Sequence, residues 1–166
     1  MATAIIRQRG EGEYLGFAGG GTVTMKAGSP ATGGSLMVIE DRVVRGKTTP
    51  LHVHPNEEEA VYVLEGEIVA YLDGEERRVG PEGLLVVPRG VPHALLVTSE
   101  TARLLGMVAP GATAETFFRD ASDPVASESE VRPPNFDRLL AVAQRSDFIE
   151  VLGPPPFATV RQADPA

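Results

Sequence analysis

Three histidines and one acidic cluster are the side chains of this 166-residue chain best placed to do chemistry. His52 and His54 stand two apart in an apolar run, and strand periodicity puts residues i and i+2 on one face, so both imidazoles project the same way. Pro55-Asn56, a pair of turn formers, then breaks the strand. The triplet Glu57-Glu58-Glu59 leads into AVYVL, a second apolar strand. If that strand folds back beside the first, a carboxylate at its start comes within reach of both histidines. One hairpin would then offer three metal ligands, with His93, behind Pro88 and Gly90, as a fourth. A lone histidine is more often structural than functional; here the joint spacing of three histidines and a carboxylate argues for a metal site.

The same residues resemble a known pattern. Gly46, five residues, His52-x-His54, four residues, Glu59, six residues and Gly66 resemble the first cupin motif. Pro88-x-Gly90, two residues and His93 resemble the core of the second. The resemblance implies an all-β fold, an antiparallel β-barrel or jelly roll with short C-terminal helices. It also implies that His52, His54, Glu59 and His93 hold one divalent transition metal. Only Glu59 gives the family spacing to Gly66; Glu58 is the fallback should the turn be one residue shorter. Two positions depart from the pattern: Glu82 stands where a glycine is expected, with Gly83 one place late, and Val97 replaces an asparagine. Neither removes a ligand.

With no cysteine in the chain, thiolate ligands and disulfides are excluded, and Fe, Mn, Ni, Co, Cu and Zn all suit three imidazoles and a carboxylate. Such a metal can act as a Lewis acid, hold an anionic oxygen, or react with O2 if redox active. Strand parity counted from the ligands points Met37, Val61, Val63, Leu95, Val97 and Met107 into a substrate pocket. That is an apolar lining suited to a small hydrophobic or aromatic molecule. Lys47, Glu58 and Arg89 are the other ionisable groups nearby and are expected in solvent.

Elements that would position these residues follow from periodicity. Glu13–Phe17, Gly21–Lys26, Ser35–Val44, Ala60–Leu64, Ile68–Leu72, Glu75–Val79, Leu84–Val87, His93–Thr98 and Ala102–Ala109 read as short strands at regular spacing, the mark of a sandwich or barrel. Asp73-Gly74 predicts a tight hairpin turn. Met1–Gly12 is expected as a frayed arm or edge strand. After Pro110 the period changes: Thr113–Asp120 predicts a helix capped by Thr113. Asp120–Pro134 reads as a mobile linker. Asn135–Arg145 predicts a helix with Phe136, Leu139, Leu140 and Ala143 on its apolar face, packed on the outside of the barrel. The last ten residues are expected to be disordered or an extended tail. The chain therefore reads as one domain over 1–166, with a barrel at about 13–110 and a helical extension at about 111–166.

Net charge is -8, which argues against nucleic acid and anionic membrane as partners. No signal peptide or membrane span is expected, and the composition suits the cytoplasm. VPRGVPHAL, TFFRD, FDRLLAVAQR and EVLGPPP further resemble quercetin 2,3-dioxygenase-like cupins. In that family the metal holds a deprotonated flavonol, the glutamate is the base, and O2 cleaves the heterocycle with loss of carbon monoxide. Carried over, Glu59 is both ligand and catalytic base. Aromatic residues make up only 5% of the chain, with no tryptophan, and lend no support to a flavonol-stacking pocket. The expected function is a metal-dependent dioxygenase acting on a small molecule with O2. The alternatives are a cyclase or isomerase using the metal as Lewis acid, and a non-catalytic binding protein. The family also implies a homodimer in which Ala2–Phe17 crosses to the partner.

Overall fold

The computed structural model describes residues 4–158. Its strands are β1 (Glu13–Phe17), β2 (Thr22–Ala27), β3 (Met37–Val44), β4 (Leu51–Val53), β5 (Glu58–Glu65), β6 (Ile68–Leu72), β7 (Glu75–Val79), β8 (Leu84–Val87), β9 (His93–Val97), β10 (Thr101–Ala109), β11 (Ser122–Pro124) and β12 (Glu150–Gly153). The helices are α1 (Ser29–Thr32), α2 (Ala112–Asp120) and α3 (Phe136–Ala143). Pairing is antiparallel throughout and builds two sheets, β11-β1-β2-β3-β10-β5-β8 and β12-β4-β9-β6-β7. The apolar positions of these strands fill the space between the sheets, giving the jelly-roll β fold that the alternating sequence predicts.

Alternation fixes which residues meet. On β10 the even positions Ala102, Leu104 and Val108 are buried, and on β5 the odd positions Val61 and Val63 are. Ile68, Ala70, Leu85, Val87 and Val97 join them in one apolar cluster. A second cluster joins Leu15, Phe17, Met25, Met37 and Ile39 to Phe117, Leu139, Val142 and Phe148. Asp73 and Gly74 take φ of 52° and 84°, the two positive angles a type I′ turn requires, and set the β6–β7 register at Leu72 opposite Glu75. Glu82, the first departure from the motif, also has a positive φ of 65°. Gly83 next to it is needed because a Cβ there would lie 2.6 Å from Val79 Cγ1 and 2.8 Å from Gly80 O.

The C-terminal third is bound more closely than its composition suggests. The stretch read as a mobile linker is stitched to the first sheet: β11 pairs with β1, and Gly21 bridges to Arg132. Arg138 fixes it further through Asp123 at 2.6 Å. Thr113 does not cap α2; Gly111 occupies the N-cap without a side-chain bond, and the Thr113 hydroxyl is engaged elsewhere. On α3, Asn135 is the cap, accepting from the Arg138 N–H at 3.1 Å. The buried face is Leu139, Val142 and Ala143, while Phe136 and Leu140 stay 48% and 41% exposed. This face joins the inner cluster and closes one end of the barrel, not its outside. The chain then adds β12 to the edge of β4, a strand hidden from periodicity by its length of four residues.

Of the expected loose tail, residues 159–166 lie outside the described residues, but Phe157 is fully buried against Val69, Ala94 and Leu96. It covers the outer face of the second sheet. The expected crossing of Ala2–Phe17 to a partner is not how this chain pairs β1, which is bonded on one edge to β2 and on the other to β11; Ala2 and Thr3 lie outside the described residues. Phe157→Ala should cost about 3–5 kcal/mol, the usual loss for emptying a buried phenylalanine site, measured as a lower urea midpoint with unchanged m-value.

Candidate metal centre and its cavity

The histidines and the glutamate come from opposite sheets. β4 does not fold back beside β5: β4 pairs with β12 and β9, whereas β5 pairs with β10 and β8. The Pro55-Asn56 bend carries the chain from one sheet to the other, so Glu59 faces the histidines across the interior. His52 and His93 are direct partners of the β4–β9 pair, and His54 follows at the end of β4. The ring centroids lie 4.2 Å (His52–His93), 5.0 Å (His52–His54) and 5.2 Å (His54–His93) apart. All three rings are buried, at 5%, 3% and 0% exposure for His52, His54 and His93.

Backbone carbonyls fix the tautomer of every ring. Nδ1 of His52 meets Pro50 O at 2.8 Å, that of His54 meets Phe148 O at 2.8 Å, and that of His93 meets Val91 O at 2.9 Å. A carbonyl oxygen only accepts, so each Nδ1 donates and each neutral ring turns a bare Nε2 lone pair inward. Glu59 Oε2 lies 3.1 Å from Nε2 of His93 and 3.7 Å from Nε2 of His54. The four groups can each offer an atom lying within 4.8 Å of the others. Two ligands on opposite sides of an ion at about 2.0–2.2 Å each would be about 4.4 Å apart, so a small contraction closes the set on a first-row cation. Carbonyls that accept the other ring N–H of metal-bound histidines serve the same orienting purpose. The donor set fits a divalent metal.

Electrostatics at the cluster act in opposing directions. Burial, with His93 and His54 beside it, pushes the His52 imidazole down to about 3. Burial also opposes a charge on His54, but the hydrogen bond and charge of Glu59 outweigh it and raise its proton affinity. Burial would raise Glu59; its bonds to His54 and His93 hold it well below the usual carboxylate range instead. Glu59 is therefore ionised at neutral pH.

Glu58, the fallback, is exposed and pairs with Arg89 at 3.0 Å; both lie outside the cluster. Glu57 was overlooked in the acidic triplet although it is 1% exposed. Its Oε1 accepts from the Thr113 hydroxyl of α2, while Oε2 has no partner among the described residues, and its charge adds to that of Glu59 on His54. Phe148 was missed as well. Besides its carbonyl contact, its ring stacks on His54 with centroids 4.1 Å apart and an interplanar angle of 23°.

A cavity of about 120 Å³ opens beside the cluster, with His52, His54 and Glu59 in its wall. Val61, Leu95 and Val97 line it. Met37 and Val63 are fully buried but outside the lining, packed into the two core clusters. Met107 is on the odd, outward parity of β10, where Gly106 faces the cavity instead. Four of the six phenylalanines, Phe17, Phe117, Phe118 and Phe148, gather in the wall, so low aromatic content conceals an aromatic pocket. Lys47, expected in solvent, lies in the same wall.

Residues 41–112 match the Cupin_2 family, described as the cupin domain, and the chain resembles quercetin 2,3-dioxygenase-like proteins. It is 28% identical over 150 residues to quercetin 2,3-dioxygenase of Bacillus subtilis (strain 168), an alignment covering 89% of this chain and 44% of that protein. The chain thus spans less than half of that relative's length. It is also 29% identical over 104 residues to the tetracenomycin polyketide synthase protein TcmJ of Streptomyces glaucescens, covering 62% of this chain and 68% of that one. Among solved structures, the polyketide cyclase RemF from Streptomyces resistomycificus superposes with a TM-score of 0.53 at 27% identity, covering 66% of this chain and 80% of that chain. Among the described residues no helix is long and apolar enough to cross a membrane.

Two outcomes follow from this geometry. Protein purified without chelator or nickel resin should carry about one divalent first-row ion per chain by elemental analysis. His52→Ala/His93→Ala should carry less than a tenth of that, since two of four ligands are gone. In metal-free protein His52 binds its proton far less readily folded than unfolded, so the stability it contributes is present above pH 6.5 and is lost as pH falls from there toward about 3. Between pH 7 and pH 5, wild type should lose roughly 2 kcal/mol more than His52→Asn in urea titrations.

Proposed function

We propose that this cupin is a metal-dependent dioxygenase of the quercetinase type, acting on a small aromatic or flavonol-like enol. The observation that carries the reading is the convergence of three Nε2 lone pairs and one carboxylate on the wall of an apolar, phenylalanine-lined cavity. His52, His54, Glu59 and His93 would hold the ion, with Fe, Mn, Ni, Co, Cu and Zn all open. Such an ion supplies a Lewis acid for an enolate or phenolate oxygen and, if redox active, electrons for reaction with O2. The chain's own residues do the rest. Phe148, Phe117 and Phe118 enclose the ring and exclude water, which strengthens every charge interaction at the cluster. Glu59 Oε2, ionised and facing the cavity, receives the proton of the substrate hydroxyl as it enters. The similarity to quercetin 2,3-dioxygenase over most of this chain supports the oxidative reading.

A second reading, a cyclase or isomerase that needs no O2, is favoured by the likeness to the polyketide cyclase RemF. A homodimer is part of the proposal, with the small-molecule substrate and O2 as the other partners. Turnover of a panel of flavonols and smaller ring enols, followed with an oxygen electrode, separates the two readings. Substrate loss matched by O2 uptake and abolished under argon supports the dioxygenase; equal turnover under argon replaces it with the cyclase or isomerase. Ligand that binds and returns unchanged after long incubation in air would leave a binding protein. Glu59→Gln should lower kcat by 10²-fold or more, about the contribution of one positioned base.

A further inference from the structure

The cavity has a second polar end that the metal cluster leaves unused. Lys47 stands in its wall with Thr48 and Thr49, on the segment joining β3 to β4. Its side chain is 13% exposed and its ammonium lies 2.5 Å from Oδ2 of Asp41, itself 14% exposed. The same nitrogen stands 5.6 Å from the centroid of the Phe17 ring. The two threonines are committed to backbone: Thr48 donates to Leu95 O at 3.0 Å, and Thr49 Oγ1 accepts the Leu95 N–H at 2.9 Å. An ammonium has three donors, and Asp41 Oδ2 is its one hydrogen-bond acceptor among the described residues.

Strand register places this pair well away from Glu59. Across β5, β10 and β3 the inward rows run Glu59–Val108–Met37, then Val61–Gly106–Ile39, then Val63–Leu104–Asp41. Asp41 is two same-face steps from the Glu59 row, about 13 Å along the strands. Between the two ends the wall is hydrocarbon: Ile39, Val61, Ile68, Leu95, Val97 and Leu104. A buried ion pair is a poor way to stabilise a core, because two apolar side chains of the same volume serve as well or better. A half-satisfied ammonium facing an apolar cavity is instead what a ligand oxygen needs.

Size sets the rest. A cavity of about 150 Å³ lined by apolar side chains takes up benzene, whereas drug-sized ligands occupy about 300–1,000 Å³. The cavity here, about 120 Å³, suits one six-membered ring.

Resting on the reading of the histidine–glutamate cluster given above, we propose that Lys47, held by Asp41 over the Phe17 ring, is a second substrate anchor, and that the ligand is a single-ring compound with an oxygen at each end. The near oxygen meets the metal cluster. The far oxygen, a hydroxyl or carbonyl, accepts from the Lys47 ammonium; because Asp41 already balances the charge, a neutral oxygen suits this end.

Hydroquinone and 4-methylphenol test this, since they match in size and differ in one far hydroxyl. Their binding to zinc-loaded protein is measured by titration calorimetry under argon. Wild type should favour hydroquinone by about tenfold or more, the worth of one hydrogen bond to a charged donor. Lys47→Met should abolish or reverse that preference while keeping its zinc. An unchanged preference in the variant overturns the proposal, and so does a wild type that binds neither compound. Repeating the series on metal-free protein separates the two readings. A preference that follows Lys47 while zinc adds nothing to either affinity sinks the metal cluster's role and leaves the anchor standing. Zinc-strengthened binding of both compounds with no dependence on Lys47 sinks the anchor alone. If Lys47→Met does not fold, acetylation of wild type decides, because Lys26 and Lys47 are its two lysines. Hydroquinone should protect Lys47 relative to Lys26 more than 4-methylphenol does, and equal protection overturns the proposal.

Discussion

Four lone pairs aimed at one point constrain this structure more than any other feature. Three imidazole nitrogens and a carboxylate oxygen repel one another unless a cation or protons stand between them, and burial removes the water that would soften the repulsion. The fold holds them there by spending backbone carbonyls. Pro50, Val91 and Phe148 each take an Nδ1 proton, so no ring can turn away without losing a buried hydrogen bond. The metal-free cluster compromises: Glu59 stands 3.1 Å from His93 and 3.7 Å from His54, its charge raises the proton affinity of His54, and His52 is left neutral. A cation would replace that compromise with bonds to all four.

The apolar cavity depends on the same geometry. Glu59 reaches the histidines only because it sits in the facing sheet, and the gap it spans is the cavity. The C-terminal segment then closes one end. Phe148 belongs to both jobs, since its carbonyl orients His54 and its ring shares the cavity wall with Phe117 and Phe118. Ligand orientation and pocket closure are therefore carried by one short stretch of chain.

How legible this was in the sequence tracks how local each feature is. His52, His54, Glu59, Gly66 and His93 were readable because spacing along two strands carries them, and the period-2 alternation that gave the barrel is equally local. The partition between sheets was not: a Pro-Asn bend after a strand looks the same whether the chain returns beside it or crosses over. Phe148 lies 94 residues from His54, and no pattern in one sequence links them. Parity places Val61, Leu95 and Val97 on the side of the cavity wall but not Met107, because the phase of β10 is tied to no ligand. Lys47 was assigned to solvent on the rule that lysines are exposed, a rule that fails where a carboxylate such as Asp41 waits in the fold. The α3 face was misread by the choice of Phe136 and Leu140 over Val142, three apolar residues that helical spacing alone ranks alike.

That the candidate ligands divide between two sheets also bears on how the protein would come to hold an ion. Neither sheet alone offers more than three donors, and the second sheet is completed by β12, which follows every candidate ligand along the chain. A half-docked chain would thus bind an ion weakly, and full affinity would arrive only with long-range closure of the barrel. An ion held there could not seed folding as it does in a zinc finger, where neighbouring ligands gather it early. It would act afterwards, by mass action on a finished molecule, slowing the reopening of the two sheets.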